Sequence, residues 1–378
     1  MERVLITGGA GFIGSRTALK LVSMGYNVTV LDNLSTQIHS EYPESSYLYQ
    51  SIKDKVHFVR GDVRDRSVWQ NVIPNHHYII HLAAETGTGQ SMYQIEKYMD
   101  VNCGGTANML DVLANTSHQV KKVIVASSRA IYGEGKYFCE THGVVYPEKR
   151  KADQLSSGNF EVVCPICHGQ VELMATDEDS KIQPESIYGI TKNTQEQMVL
   201  VSCQSLGVSA VALRYQNVYG PGQSLSNPYT GILSIFSTRI LNGNGINIFE
   251  DGQESRDFIY IDDVVDATIL TLQKDTKSNA IALNVGSGVS TTVDYIARKL
   301  KESYNSDIPL SISGDYRLGD IRHNKADISN IQQLLGFSPK VSIEQGLKLF
   351  VEWVQQQEVK SDNYEQSIAE LKQKGLIK

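Results

Sequence analysis

The sequence lacks the features that mark membrane, secreted and nucleic-acid-binding proteins. It has no run of about 18 apolar residues, and its first residues lead directly into a strand-like segment, so we expect neither a membrane span nor a secretion signal. We therefore expect a cytoplasmic protein, in which five cysteines among 378 residues do not form structural disulfides. The 35 basic residues are outnumbered by 42 acidic ones, and the net charge of −7 disfavours binding to nucleic acid.

What is present is an ordinary globular composition with repeated apolar runs. Hydrophobic residues make up 41% of the chain and charged residues 20%, which allows a sizeable core and more than one domain. Continuous rather than alternating hydrophobicity is typical of strands buried on both faces. Because helix-period or polar stretches separate most of the runs, they predict a doubly wound parallel α/β sheet, with strands near 3–7, 27–32, 56–62, 78–84, 122–128 and 209–215.

Two regions depart from this alternation. Residues 134–183 are polar, contain two close pairs of cysteine or histidine residues and show no convincing strand, which indicates an inserted module. Beyond residue 216, Gly, Asn and Pro separate shorter elements, which indicates a smaller mixed α/β domain on the substrate side. We predict a dinucleotide-binding domain over 1–215, to which 257–283 return, and a substrate-binding domain made of 216–256 and 284–378.

The segment TGGAGFIG, between a predicted strand and a predicted helix, has the spacing of a phosphate-binding loop. Gly8 permits a tight turn, Gly11 lets the backbone approach a diphosphate, and Gly14 lets helix and strand pack closely. A turn alone can require glycine, so the loop needs a second signal. Asp32, at the end of the second strand, supplies it, because a carboxylate there accepts hydrogen bonds from an adenine ribose and repels a 2′-phosphate. This pattern favours NAD over NADP.

Tyr188 and Lys192 are four residues apart and share one face of a predicted helix. The phenol, with an ordinary pKa of about 10, becomes a base at neutral pH only if its pKa falls by roughly three units, and nearby positive charge can cause this. A solvated helix face is the alternative for this pair alone. Ser127 and Ser128 close the fifth strand, whose carboxyl end faces the ligand crevice. Together, Ser, Tyr and Lys can hold a substrate hydroxyl and remove its proton while the carbon gives hydride to NAD.

Seven motifs in order along the chain resemble the extended short-chain dehydrogenase/reductase family, in its nucleotide-sugar epimerase and dehydratase branch: TGGAGFIG, HLAAETG, VNCGGT, ASSRAIYG, YGITK, LRYQNVYGPGQ and SRDFIYIDDV. The resemblance implies a Rossmann-type sheet, retained NAD, a homodimer and catalysis by Ser128, Tyr188 and Lys192. With the strand ends, it predicts that NAD is contacted by Gly8, Gly11, Phe12, Ile13, Gly14, Asp32, Asn33, Asp62, Val63, Leu82, Ala83, Ala84, Asn102, Tyr188, Lys192 and Tyr215.

The residues after Ser128 separate the reactions of this branch. The dehydratases carry an acidic pair there, whereas this chain has Arg129 and Ala130 and therefore no evident catalyst for eliminating water. We expect 4-epimerisation of a dTDP- or UDP-linked hexose or deoxyhexose through a 4-keto sugar. A dehydratase, decarboxylase or reductase of the same branch is the alternative, and a non-catalytic dinucleotide-sensing scaffold is the alternative of a different class.

Four further residues are expected to contact the nucleotide sugar. Two arginines can form forked hydrogen bonds to a diphosphate, and the resemblance assigns this role to Arg256 and Arg322. The family asparagine that contacts the diphosphate corresponds to Asn217, and Thr86, after the fourth strand, is expected to face the sugar together with Ser128.

The insertion carries the spacing of a tetrahedral zinc site. Cys139 and His142 form one close pair and Cys164 and Cys167 the other, with His168 as an alternative fourth ligand. A metal would stabilise a segment that has no obvious core, although a reduced metal-free loop or a redox pair remains open. The thiol-rich insertion and the motif LAAETGTGQSM give a narrower resemblance to dTDP-L-rhamnose 4-epimerases, which the tail shares through Glu370, Leu371, Gly375 and Leu376.

Overall fold

A seven-stranded parallel sheet forms the centre of the fold. It belongs to a computed structural model that describes residues 2–39, 41–227, 229, 231–276, 279–358 and 361–378. The strands, in chain order, are β1 (Arg3–Thr7), β2 (Asn27–Asp32), β3 (His57–Arg60), β4 (Tyr78–His81), β5 (Lys122–Ser128), β6 (Tyr137–Cys139), β7 (Gly143–Val145), β8 (Glu172–Leu173), β9 (Ser209–Tyr215), β10 (Asn217–Tyr219), β11 (Ile246–Ile248), β12 (Ser255–Tyr260), β13 (Ala280–Val285), β14 (Ser290–Thr292) and β15 (Leu310–Ile312).

Helices cover both faces of this sheet, and further helices belong to the insertion and to the second half of the chain. They are α1 (Phe12–Ser23), α2 (Thr36–His39), α3 (Tyr47–Ile52), α4 (Arg66–Val72), α5 (Thr88–Ser91), α6 (Ile95–Tyr98), α7 (Gly105–Asn115), α8 (Ala152–Ser156), α9 (Ile187–Leu206), α10 (Ile232–Leu241), α11 (Ile261–Gln273), α12 (Val293–Ser303), α13 (Ser329–Leu335), α14 (Ile343–Val354) and α15 (Tyr364–Gln373). A π-helical stretch, Met99–Gly104, precedes α7, and 3₁₀ turns lie at Pro43–Ser45, Ile73–Asn75 and Arg129–Ile131. No helix among the described residues is both long and apolar enough to cross a bilayer.

The sheet order β13-β9-β5-β4-β1-β2-β3 is that of a doubly wound fold, and the predicted fold class is confirmed. Successive residues of β1 serve the two faces: Val4 and Ile6 pack with Leu21 of α1, whereas Leu5 packs with Met109 of α7. This burial on both faces explains the continuous apolar runs in the sequence. Because all seven strands run in parallel, the carboxyl ends of β1, β4, β5 and β9 meet at one edge.

The second half of the chain adds smaller sheets beside that edge. Strands β10, β12 and β14 form one sheet and β11 and β15 another, while β13 returns to the edge of the large sheet. The insertion has an antiparallel sheet of its own, in the order β7-β6-β8, over a small core that includes Tyr137 and Val162. The sequence pattern did not show these strands because each is only two or three residues long.

Candidate active site

The glycine loop after β1 leaves space where side chains would collide. Gly8 has φ +63°, a left-handed conformation that favours glycine, and a Cβ atom on Gly14 would overlap the carbonyl oxygen of Gly8. The Asp32 carboxylate accepts hydrogen bonds from the backbone N–H groups of Ala10 at 2.9 Å and Leu34 at 2.8 Å, which fix it at the end of β2. A loop without side chains lets its backbone approach a diphosphate, and the fixed carboxylate beside it can bind the ribose of a dinucleotide.

A cleft of about 970 Å³ opens beside this loop at the carboxyl edge of the sheet. It brings together three of the predicted substrate contacts, Thr86, Ser128 and Asn217. The predicted cofactor contacts that line it are Gly8, Gly11, Phe12, Ile13, Gly14, Asp32, Asn33, Val63, Leu82, Ala83, Ala84, Tyr188, Lys192 and Tyr215.

Two predicted cofactor residues, Asp62 and Asn102, are not among those that line the cleft. Asp62 forms an ion pair with Arg64 at 2.9 Å, and the hydrogen bonds from that side chain lower the pKa of Asp62 to about 2. Asn102 is buried, accepts the backbone N–H of Glu85 at 2.7 Å and donates to the Thr191 hydroxyl at 2.9 Å. Asn102 therefore holds the segment after β4 against α9, which carries Tyr188 and Lys192.

The start of α9 places Tyr188 beside the end of β5. The Ser186 hydroxyl accepts the N–H of Gly189 as the helix cap, and the Tyr188 N–H donates to Ser91 at 3.0 Å. Glycine is required at 189 because a Cβ atom would lie 2.5 Å from the carbonyl oxygen of Ala130. This close approach brings the first turn of α9 directly against the residues that follow Ser128.

The Lys192 ammonium begins a buried polar network. It donates to the Gln195 side-chain oxygen at 2.8 Å, and the Gln195 amide donates to the Thr106 hydroxyl at 2.8 Å. His81 lies 3.0 Å from that hydroxyl and 2.7 Å from the Thr7 hydroxyl at the end of β1. Burial lowers the pKa of Lys192 to about 7. The network therefore joins Lys192 to β1, the strand that leads into the glycine loop.

The charge of Arg129 acts on Tyr188. Burial raises the pKa of Tyr188, whereas a hydrogen bond with Ser128 and the charge of Arg129 lower it. From the sequence we expected the lysine ammonium near the phenol, and Arg129 only as the residue that replaces an acidic one. The position of Arg129 directly after Ser128 was the available sequence signal, and the structure shows that it lines the same cleft.

The two arginines predicted to clamp a diphosphate are engaged within the protein. Arg322 is fully buried and forms ion pairs with Glu250 at 2.9 Å and Asp251 at 2.7 Å. Arg256 donates to Asp320 at 3.0 Å and to backbone carbonyl groups. Neither arginine lines the cleft. Because both guanidinium groups already donate to acceptors of the protein, the contact of Arg256 and Arg322 with a diphosphate stays a prediction.

Arg317, which the sequence analysis did not select, differs from these two. It forms no ion pair within the described part of the chain, and its buried Nε has no hydrogen-bond acceptor. Its guanidinium lies 5.9 Å from the centre of the Phe249 ring, and its backbone pairs with Ile377 of the tail. The sequence signal was weak, because Arg317 lies in none of the seven motifs that carry the family resemblance.

The insertion brings its four predicted metal ligands together. One ligand atom from each of the four residues lies within 4.8 Å of the other three, and Cys139 Sγ is 3.6 Å from His142 Nδ1. The hydrogen bond with His142 lowers the pKa of Cys139 to about 6, which favours the thiolate that a metal binds. His168 is not in this group. The ligand atoms come from Cys139, His142, Cys164 and Cys167.

Comparison with known proteins identifies the family that has this architecture. The model of the NAD dependent epimerase/dehydratase family matches residues 4–150 and 164–286. The chain belongs to this family. It is 35% identical to the dTDP-L-rhamnose 4-epimerase of Burkholderia thailandensis over 358 residues, which cover 94% of this chain and 96% of that protein.

Two further proteins align with this chain over 93% of its length. A UDP-N-acetyl-alpha-D-glucosaminuronate decarboxylase of Bacillus cytotoxicus is 29% identical over 93% of this chain and 97% of its own length. The crystal structure of the UDP-glucose 4-epimerase of Thermotoga maritima with UDP-glucose superimposes with a TM-score of 0.75 at 31% identity, over 93% of this chain and 98% of that one. The family membership confirms the resemblance drawn from the motifs and makes NAD the cofactor.

Proposed function

We propose that the protein is an NAD-dependent nucleotide-sugar 4-epimerase that acts on a dTDP- or UDP-linked hexose or deoxyhexose. The observation that carries the proposal is the convergence of Ser128, Tyr188 and Lys192 on the cleft that also contains the glycine loop and Asp32. The names of the B. thailandensis and T. maritima relatives support the reaction and the substrate class.

In the proposed mechanism, NAD supplies the hydride acceptor and donor when it is bound. Ser128 holds the hydroxyl at C4 of the sugar, and Tyr188 takes the proton of that hydroxyl as C4 is oxidised. The charge of Arg129 and the hydrogen bond with Ser128 favour the phenolate that this transfer requires. After the 4-keto sugar has turned over, Tyr188 returns the proton and C4 is reduced on its opposite face.

Elimination and decarboxylation are the alternatives within the family. Arg129 and Ala130, which follow Ser128, offer no carboxylate that could remove a proton from C5, and this favours epimerisation over dehydration. Because the B. cytotoxicus relative is named as a decarboxylase, decarboxylation is the second candidate reaction. A scaffold without activity would have no need for the complete Ser, Tyr and Lys set.

We also propose that the insertion binds a structural zinc ion. We propose further that the protein is a homodimer and that its domains divide as the sequence predicts. The cluster of three sulfur atoms and one imidazole supports zinc. Metal content per chain tests the first point: Cys164→Ser should remove the zinc, whereas Cys103→Ser, outside the cluster, should retain it. A metal-free wild type would contradict the proposal.

Incubation with sugar nucleotides tests the reaction. Purified protein, without added NAD, should convert dTDP-6-deoxyhexose, UDP-glucose or UDP-glucuronate to the C4 epimer, measured by NMR. Tyr188→Phe should lower the rate by roughly two to four orders of magnitude and retain NAD. Loss of water or carbon dioxide, or accumulation of NADH, would establish one of the alternatives instead.

A further inference from the structure

Arg129 differs from the buried arginines around it in having no ion pair. Each of the others has a carboxylate partner, and this holds for Arg150 with Glu134, Arg214 with Glu196, Arg256 with Asp320 and Arg322 with Glu250. Arg129 is half-buried and lines the cleft, yet it forms no ion pair with any described residue. A guanidinium withdrawn from water without a carboxylate is costly, and this cost falls when a ligand supplies an acceptor.

The hydrogen bonds of Arg129 leave a set of donors directed at the ligand space. Its Nε donates to the Asn217 side-chain oxygen at 3.2 Å. Among the described residues, the two Nη groups of Arg129 and the Nδ2 of Asn217 have no acceptor. Since Asn217 also lines the cleft, the pair presents more free donors than acceptors to a ligand.

We propose that Arg129 and Asn217 form an acceptor-binding cradle in the sugar subsite, in which Arg129 contacts the sugar and determines which sugar nucleotides the site accepts. The ligand class is a sugar whose hydroxyl or carboxylate oxygens lie beside the reacting carbon. This assignment deepens the proposed function and rests on it only for the identity of the ligand.

Two observations place the cradle at the sugar rather than at the diphosphate. Arg129 directly follows Ser128, the residue proposed to hold the C4 hydroxyl, and Ala130 beside it touches the first turn of α9 through Gly189. The guanidinium is therefore tethered next to the reacting carbon. Its burial lowers the pKa of Arg129 to about 10, so it remains a cation at neutral pH and binds a carboxylate more strongly than a hydroxyl.

Binding measurements with the NAD-containing protein test the cradle without turnover. Calorimetry with UDP, UDP-glucose and UDP-glucuronate compares wild type, Arg129→Gln, which removes the charge, and Arg129→Lys, which keeps the charge but loses the fork. Arg298→Gln is the matched control, because Arg298 forms an exposed ion pair with Asp294 on α12. Thermal melting and NAD content establish that each variant is folded.

We expect Arg129→Gln to weaken the binding of at least one sugar nucleotide by about 10- to 100-fold, and that of UDP by less than about threefold, because a hydrogen bond to a charged group contributes about 1.5–3 kcal/mol. A greater loss for UDP-glucuronate than for UDP-glucose would identify a carboxylate as the acceptor, and equal losses would identify a hydroxyl. Arg129→Lys should lie between wild type and Arg129→Gln.

Equal weakening of UDP and both sugar nucleotides would overturn the assignment, since the cradle would then hold the diphosphate. Unchanged binding of every probe would also overturn it. The two proposals fail separately: an Arg129 effect on binding in a protein that epimerises nothing would retain the cradle and reject the epimerase. Epimerisation with full binding and activity in Arg129→Gln would do the reverse.

Discussion

The Lys192 ammonium donates a hydrogen bond of 2.8 Å to the side-chain oxygen of Gln195, three residues further along α9. Both side chains are buried, and the Gln195 amide is held in turn by Thr106. The lysine is thus oriented by a neutral amide rather than by a carboxylate, and burial lowers its pKa to about 7. The protonation state of Lys192 is therefore sensitive to this single acceptor.

Gln195→Leu should narrow the pH range of activity. The substitution removes an acceptor that favours the ammonium, so the pKa of Lys192 falls further, and the cation is lost at lower pH. We expect the alkaline limb of kcat to move down by about one to two pH units. Gln204→Leu, at an exposed position on α9, is the control. An unchanged alkaline limb in Gln195→Leu would show that this hydrogen bond does not maintain the lysine charge.

Gly14→Ala should remove the cofactor. Its Cβ atom would overlap the carbonyl oxygen of Gly8 and lie 2.6 Å from Gly9 Cα, so the loop must move away from the dinucleotide position. We expect NAD retained after purification to fall more than about tenfold, measured from the absorbance of the released dinucleotide. Gly89→Ala, whose Cβ atom would make only ordinary contacts with Leu371, should retain full NAD. Normal NAD in Gly14→Ala would contradict the loop assignment.

Arg322→Met should destabilise the protein strongly. It breaks the ion pairs with Asp251 and with Glu161 of the insertion, and it leaves Glu250 paired with Arg150 alone among the described residues. Removing one partner of a buried ion pair costs about 3–5 kcal/mol of the free energy of unfolding, and because Glu250 keeps Arg150 we expect a loss toward the lower end of this range. Arg298→Met, which breaks an exposed pair, should cost less than about 1 kcal/mol in the same urea denaturation experiment. Equal costs would show that the buried network contributes little.

Glu185→Gln should stabilise the protein in alkaline solution. Both carboxylate oxygens of Glu185 are buried without a hydrogen-bond partner, and burial, with the charge of Glu134, raises the pKa of Glu185 to about 8. The folded state therefore binds this proton more tightly than the unfolded state, whose pKa lies near 4.5. The associated stability is complete below about pH 4.5 and is lost as the pH rises through about 8.

Thermal melting from pH 5 to pH 9 measures this effect. The wild type should lose more stability over this range than Glu185→Gln, because the variant has no carboxyl group to ionise. Glu172→Gln, at an exposed position of the insertion, should follow the wild type. Parallel melting curves for wild type and Glu185→Gln would contradict the burial of an unpaired carboxyl group.

Much of the fold could be predicted from local patterns. The apolar runs predicted six strands of the large sheet, because a strand buried on both faces needs continuous hydrophobicity. The motif TGGAGFIG predicted the glycine loop, because a side chain at Gly8 or Gly14 would collide with neighbouring backbone. The cysteines of the insertion predicted that it is a separate module. They did not predict its sheet, because strands of two or three residues leave no periodicity to detect.

The amino-acid sequence by itself determined the parallel sheet, the position of the glycine loop and the spacing of Tyr188 and Lys192, because each depends on residues near one another along the chain. Only the tertiary structure decided which arginines are available to a ligand. Arg322 is neutralised by carboxylates from segments distant in sequence, whereas Arg129 forms no ion pair with any of the residues that the structure describes. Charge pairing depends on distances across the fold, and no local motif encodes them.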